Sequence, residues 1–243
     1  MTLLVLAGTS DARQLLEGLQ GVDVVASLAG VTRNPVDLPA NTRKGGFGGV
    51  NGFRNYLIEH GIKGVVDATH PFAAKMTRTA ANVCSELNIP HIILQRPEWM
   101  ADVDDRWHFV DTVAHTANYI PKGATVFLGT GRQTLHEFSC LEGRKLLARV
   151  IDPPKAPVLA NFAGEFLIGT PPFSIEQEVA LFREKNIEWL VVKNAGGAKS
   201  RSKLDAARIL SLPVVMINRP KLPDAQVVGT VDAALDWVRA QTW

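Results

Sequence analysis

Glycine turns recur where apolar, β-like runs give way to amphipathic stretches. Leu3-Leu4-Val5-Leu6-Ala7 leads into Gly8-Thr9-Ser10-Asp11, and Val126-Phe127-Leu128 into Gly129-Thr130-Gly131-Arg132. Leu190-Val191-Val192-Lys193 leads into Asn194-Ala195-Gly196-Gly197. A junction of this kind leaves backbone N–H groups free at a helix N-terminus, where phosphate or carboxylate is favoured. Its recurrence in both halves of the chain predicts two α/β lobes that face anionic ligands.

The first of these turns suits a dinucleotide, although it lacks the full GxGxxG fingerprint. Gly8 permits close backbone approach, Thr9 and Ser10 offer hydroxyls, and Ser10 or Asp11 can cap the following helix. Arg13 lies one turn further on. The second strand ends in Ser27-Leu28-Ala29-Gly30-Val31-Thr32-Arg33. An NAD site often places an acid here for the ribose 2′-hydroxyl. No acid is present, and Ser27 with Arg33 suits a 2′-phosphate, which favours NADP over NAD. Gly45-Gly46-Phe47-Gly48-Gly49 is an open backbone against which a flat group could rest. In Asp67-Ala68-Thr69-His70-Pro71-Phe72-Ala73, Thr69 and His70 fall at a strand's carboxyl end, the ligand-facing edge of an open α/β sheet.

In the second half, cations gather at the same edge. Arg132 follows a glycine turn, Arg149 ends a strand, and Lys193, Lys199, Arg201 and Lys203 surround another turn. Asn218-Arg219-Pro220 ends the last strand of that half. A substrate with several carboxylates or phosphates would suit this bias, since arginine binds carboxylate bidentately and lysine acts as a point charge. The histidines at 60, 91, 108, 115 and 136 show no ligand spacing and read as structural. No HExxH, metal-ligand cluster or GxSxG occurs, so no metal site and no serine triad is expected.

The elements needed to position these residues alternate strand, turn and helix. Strands are predicted at Val22–Ser27, Gly64–Ala68 and His91–Leu94, and helices at Asp11–Leu19, Asn51–Glu59 and Phe72–Leu87. After an acidic stretch at 101–105 the rhythm restarts. Strands are then predicted at Trp107–Val110, Thr125–Leu128, Lys145–Val150, Glu165–Ile168, Trp189–Lys193 and Val214–Ile217. This alternation implies βαβ units, mainly parallel sheets and helices on both faces. The expected fold is α/β, with two Rossmann-like lobes and a cleft between them: a dinucleotide-binding lobe over 1–98 and a second lobe over 99–243. The last helix, Val231–Ala240, could pack on either lobe.

The chain has 243 residues, 46% hydrophobic and 21% charged, with a net charge of +2. That is ordinary for a globular protein and too weakly basic for general nucleic-acid binding. Cys84 and Cys140 lie far apart, each in an apparent helix, and read as buried small residues rather than a disulfide or zinc pair. No apolar run is long enough for a membrane span and the N-terminus lacks a basic signal-like region, so a cytoplasmic protein is expected. The sequence sets no oligomeric state.

Several of these segments together resemble one family. Gly8-Thr9-Ser10-Asp11-Ala12-Arg13, the Gly45–Gly49 loop, Asp67-Ala68-Thr69-His70-Pro71-Phe72-Ala73 and Leu94-Gln95-Arg96-Pro97 are similar, in this order, to the precorrin-6A reductase family. So are Thr130-Gly131-Arg132-Gln133, Lys193-Asn194-Ala195-Gly196-Gly197, Lys203-Leu204-Asp205-Ala206-Ala207 and Arg219-Pro220. The resemblance spans nearly the whole chain. It implies an enzyme of cobalamin biosynthesis that reduces precorrin-6A with NADPH to precorrin-6B, with hydride at C19 and a proton at C18. The macrocycle's acetate and propionate groups would match the cations. Two positions depart from the family pattern: Gly129, where a threonine is common, and Ala195, where a serine is common.

On this reading Gly8, Thr9, Ser10 and Arg13 hold the pyrophosphate end, with Ser27 and Arg33 near the 2′-phosphate. Gly46, Phe47, Gly48 and Thr69 lie toward the nicotinamide. Thr130, Arg132, Arg149, Lys193, Asn194, Gly196, Gly197 and Arg219 are expected to bind the macrocycle, and Lys203 and His70 are the candidate proton donors. A nucleotide-dependent transferase and a non-catalytic nucleotide-binding protein are the rival classes.

Overall fold

The computed structural model describes residues 2–30, 37–152 and 164–241. The chain divides into two compact units, Met1–Pro97 with Pro220–Trp243, and Glu98–Arg219. In chain order the first unit begins with β1 (Thr2–Leu6), α1 (Ser10–Gly18), β2 (Val24–Leu28), β3 (Asn41–Lys44), α2 (Val50–Glu59), β4 (Ile62–Asp67), α3 (Ala74–Glu86) and β5 (His91–Leu94). The second unit carries β6 (Trp107–Val110), β7 (Thr125–Gly129), β8 (Lys145–Val150), β9 (Gly164–Ile168), α4 (Ile175–Glu184), β10 (Trp189–Lys193), α5 (Ser202–Ile209) and β11 (Val214–Ile217). The chain then returns to the first unit with β12 (Gln226–Val228) and α6 (Val231–Ala240).

Each unit holds one six-stranded sheet with every pairing parallel. The first sheet runs β3-β2-β1-β4-β5-β12, the 3-2-1-4-5-6 order of dinucleotide-binding sheets. The second runs β9-β8-β7-β10-β11-β6. It repeats that order through five strands and takes its sixth from the segment that enters the unit. Strand order therefore reverses between β1 and β4 in one unit and between β7 and β10 in the other. At such switch points the loops leave to opposite faces and open a crevice at the carboxyl edge.

Parallel strands are buried on both faces, so they read as continuous apolar runs. On β1, Leu3 and Val5 join α1 and α6, whereas Leu4 and Leu6 join Phe53 and Leu57 of α2 and Ala80, Val83 and Cys84 of α3. The second unit packs Phe127, Leu190, Val192, Val214 and Met216 beneath Phe182 of α4 and Leu204, Ala206 and Ala207 of α5. Cys84 is fully buried, while Cys140 is half-buried on a 3₁₀ segment.

The apolar strands and the last helix fall where the sequence places them. Two strands were not foreseen, β3 and β12, and both are sheet edges. β3 reads Asn-Thr-Arg-Lys and is largely exposed. An edge strand packed on one side needs no apolar run, so its pairing is invisible in composition. The helix predicted from Phe72 starts instead at Ala74, because the Ala73 N–H turns back onto the His70 carbonyl at 2.7 Å. The β7–β8 connection is a 3₁₀ segment, Arg132–Leu141, rather than an α-helix.

The sequence left α6 able to pack on either lobe, and it packs on α1. Ala234, Leu235 and Val238 share a core with Leu15, Leu16 and Leu19. Gly18 permits the approach, since a Cβ there would lie 2.8 Å from Leu235 Cδ1. Leu235→Ala is expected to lower the first unit's stability by about 2–5 kcal/mol. Amide exchange would speed in α1 and α6 and stay unchanged across residues 98–219.

Candidate functional site

The β1–α1 turn is built around Thr9 rather than Ser10 or Asp11. Thr9 is extended, with φ −122° and ψ 165°, and its Oγ1 accepts the Ala12 N–H at 3.1 Å. The same hydroxyl donates to the Ala68 carbonyl at 2.8 Å, tying this turn to the end of β4. Ser10 is already helical, and its hydroxyl reaches Asp11 Oδ1 at 3.2 Å. Asp11 pairs with Arg96 from the end of β5 at 2.8 Å, and Arg13 pairs with Glu17 along the helix. Gly8 has φ +133°, and a Cβ there would meet nothing within 4 Å. The backbone at the switch point is therefore open to a ligand.

Ser27 is buried at the end of β2 and accepts a 2.7 Å hydrogen bond from Arg43 Nη1. Arg43 was not anticipated. It sits on β3 directly opposite Ser27 in the register and also donates to the Gly45 and Gly46 carbonyls at 2.9 and 3.1 Å. Its guanidinium lies 3.9 Å from the Phe47 ring centroid. Phe47 meets Phe53 and Tyr56 edge-on at 4.8 and 5.1 Å, so the glycine loop is anchored through its aromatic residue. Gly45, Gly46, Gly48 and Gly49 leave open space where a Cβ would stand. Arg33 lies outside the described residues.

The loop after β4 is held by a buried carboxylate. Asp67 Oδ1 accepts the Thr69 N–H at 3.0 Å and the Thr69 hydroxyl at 2.7 Å. Among the described residues its Oδ2 is buried without a partner, as is His91 Nε2. Burial pushes the Cys84 thiol up to about 12, with the Asp67 charge adding to the effect. Burial also lowers the His91 pKa, and Asp67 opposes that shift. His70 is exposed. Its Nδ1 accepts the Phe72 N–H at 3.2 Å, which leaves the ring proton on Nε2.

In the second unit the β7 turn and the first turn of α5 come together. Gly129 is a close-approach position: a Cβ there would lie 3.2 Å from Val192 Cγ1 and 3.3 Å from Lys203 Cδ. A larger side chain at this position would press on the Lys203 stem. Lys203 donates to the Ser200 carbonyl and lies 5.4 Å from the Trp99 ring centroid. Burial lowers its pKa to about 8, with Arg149 contributing and Glu178 opposing. Thr130 is 8% exposed, and its Oγ1 is buried without a partner among the described residues. Arg132 starts the 3₁₀ segment behind Gly131.

Arg149 has a partner of its own. It binds Glu178 bidentately at 2.6 and 2.7 Å and lies between the Phe127 and Phe173 rings, at 4.7 and 4.1 Å. Asn194, 1% exposed, joins three segments. Its Oδ1 accepts the Trp99 N–H at 2.8 Å, its Nδ2 donates to the Trp99 carbonyl at 3.2 Å, and its own carbonyl accepts Arg219 Nε at 2.7 Å. Trp99 Nε1 donates to the Gly197 carbonyl at 2.8 Å. The turn carrying Gly196 and Gly197 is thereby fixed beside Lys193, whose pKa burial lowers. Ala195 packs into the core.

The donors at both carboxyl edges are N–H groups, hydroxyls and cations, a set that fits phosphates and carboxylates. The open glycine turn after β1 and the acid-free end of β2 fit a phosphorylated dinucleotide. Among the described residues no group of His, Cys, Asp and Glu could hold a metal ion. No helix among them is long and apolar enough to cross a membrane.

The chain is similar to known proteins over its whole length. The family described as "Precorrin-6x reductase CbiJ/CobK" matches residues 2–239. A "Precorrin-6A reductase" of Rhodococcus erythropolis is 41% identical, over 99% of this chain and 98% of that protein. A "Cobalt-precorrin-6A reductase" of Priestia megaterium is 31% identical, over 99% of each. A solved structure of "CobK precorrin-6A reductase" superposes with a TM-score of 0.92 at 40% identity, covering 98% of this chain and 96% of that one.

The Arg149–Glu178 pair is nearly dry, with side chains 15% and 2% exposed. Arg149→Met would leave a buried carboxylate unpaired and is expected to cost about 3–5 kcal/mol in urea unfolding. Adding Glu178→Leu should recover much of that loss, because the pair's desolvation then disappears with it.

Proposed function

The chain belongs to the precorrin-6x reductase family, and on that premise we propose that it uses NADPH to reduce precorrin-6A at C19, with a proton added at C18, giving precorrin-6B. It is an oxidoreductase of cobalamin biosynthesis that acts on a CH–CH group. The full-length match to reductases of that name carries the reading. Metal-free precorrin-6A is the proposed substrate rather than its cobalt form, because the relative named for the former is more similar than the relative named for the latter. We place the enzyme in the cytoplasm, where the reduced cofactor pool is found.

When bound, NADPH supplies the hydride. The residues proposed to hold it are Gly8, Thr9 and Ser10 at the pyrophosphate, with Arg13 beside them, and Ser27 with Arg33 at the 2′-phosphate. Gly46, Phe47, Gly48 and Thr69 are assigned to the nicotinamide end. Thr9 and Asp67 act by holding their loops, since both already have internal partners. For the macrocycle, Thr130, Arg132 and Lys193 supply the direct polar contacts. Asn194, Gly196, Gly197 and Arg219 form the turn that positions Lys193. Arg149 acts through its charge on Lys203.

Lys203 is the proposed proton donor. A buried ammonium with a pKa near 8 is close to the operating range that general acid catalysis favours. His70, with its proton on Nε2, is the second candidate.

The assay is anaerobic oxidation of NADPH in the presence of precorrin-6A. Lys203→Ala is expected to lower kcat by roughly 10²–10⁴ while NADPH still binds. Because the acid must be protonated, kcat of the wild type should fall as pH rises through about 8. Near-normal turnover of Lys203→Ala, or an unchanged alkaline limb, removes Lys203 from the role. NADPH binding without oxidation by either form of the macrocycle would overturn the reductase mechanism in favour of a non-catalytic nucleotide-binding protein.

A further inference from the structure

We infer that Arg43 joins Ser27 in reading the 2′-phosphate of the dinucleotide and so sets the preference for NADPH over NADH. The inference rests on the NADPH reading above and adds to it a specificity residue on β3. Ser27 ends β2, and Arg43 is its register partner on the neighbouring strand. This is the strand end where an acid would select the NAD ribose, and positions 27–30 hold Ser-Leu-Ala-Gly.

Arg43 is held in place before any ligand arrives. Ser27 Oγ and the carbonyls of Gly45 and Gly46 take three of its N–H groups. The rings of Phe47 and Tyr56 lie 3.9 and 5.0 Å from its guanidinium carbon. A guanidinium has five N–H donors in a fixed fork, so Nε and one hydrogen on Nη2 remain for a further acceptor. Its three acceptors are neutral, and among the described residues no carboxylate pairs with it. That sets it apart from Arg96, Arg149 and Arg208, each of which has an acidic partner. A partly buried cation without a counter-charge, aimed by neutral dipoles, has the electrostatics of an anion receptor. The exposed Lys44 follows it on the same strand.

The test is direct binding. NADPH and NADH are titrated by fluorescence, and 2′,5′-ADP and 5′-ADP by calorimetry, against wild type, Arg43→Ala, Arg43→Lys and Ser27→Ala. Arg43→Ala should weaken NADPH and 2′,5′-ADP by about 10- to 100-fold, as expected for losing one charged hydrogen-bond partner. NADH and 5′-ADP should change little. Ser27→Ala should weaken NADPH selectively but less, because it removes a neutral hydroxyl and frees the guanidinium to swing. Arg43→Lys keeps the charge and loses the fork, so it should fall between.

Equal weakening of NADPH and NADH would show that Arg43 merely straps the glycine loop, and overturns the inference. So would an Arg43→Ala variant that keeps its NADPH preference. If Arg43→Ala fails to fold by thermal unfolding, Ser27→Ala and Arg43→Lys decide the question by the same comparison. A wild type that binds NADPH and NADH alike overturns the NADPH reading itself, and this inference with it.

Discussion

Every strand in both sheets runs the same way, and that constraint decides where chemistry can occur. A parallel sheet must be covered on both faces, so the faces are unavailable to a ligand. What remains is the carboxyl edge, where each strand hands over to a turn. The strand order then singles out one place along that edge. In the first unit it lies between the β1 and β4 turns, which carry Gly8-Thr9 and Thr69-His70. In the second it lies between the β7 and β10 turns, which carry Gly129–Arg132 and Lys193–Gly197.

Those turns have to be open and yet held still, and the two needs are met by different residues. Glycines keep the backbone accessible, while single buried polar side chains fix the path. Thr9 ties the β1 turn to the end of β4. Asp67 closes the β4 turn onto Thr69. Asn194 holds the β10 turn against the Trp99 backbone and Arg219. Each is a fully or partly desolvated group, so losing it would leave a buried partner unsatisfied as well as freeing a loop. The polar side chains beside the glycine turns are therefore the ones that hold those turns in place.

The charges divide along the same line. Arg96 and Arg149 are paired with Asp11 and Glu178. Arg43 and Lys203 are held by neutral carbonyls, a hydroxyl and aromatic rings. A cation kept in place by dipoles rather than by a carboxylate retains its field for an incoming anion, and at Lys203 burial lowers the pKa as well. Glu178 links the two groups, because it neutralises Arg149 while its own charge is felt at Lys203.

Much of this was legible in the amino-acid sequence. The apolar strands Trp107–Val110, Lys145–Val150, Trp189–Lys193 and Val214–Ile217, and the helix Val231–Ala240, follow from apolar runs and 3.6-residue periodicity. The glycine turns follow from local backbone chemistry, and the family from motifs spread along the chain. The polar edge strand Asn41–Lys44 was not legible, because one-sided pairing leaves no apolar signature. Arg43 was missed with it, since only the register sets it opposite Ser27. The pairing of Arg149 with Glu178 was hidden for the same reason: it joins a strand to a helix far along the chain, and the sequence shows only a cation at a strand end. Periodicity and turn chemistry are local, so the sequence determined the apolar elements and the kind of groups at their ends. Which of those groups are neutralised and which remain to act depends on long-range contacts, and that only the tertiary structure decided.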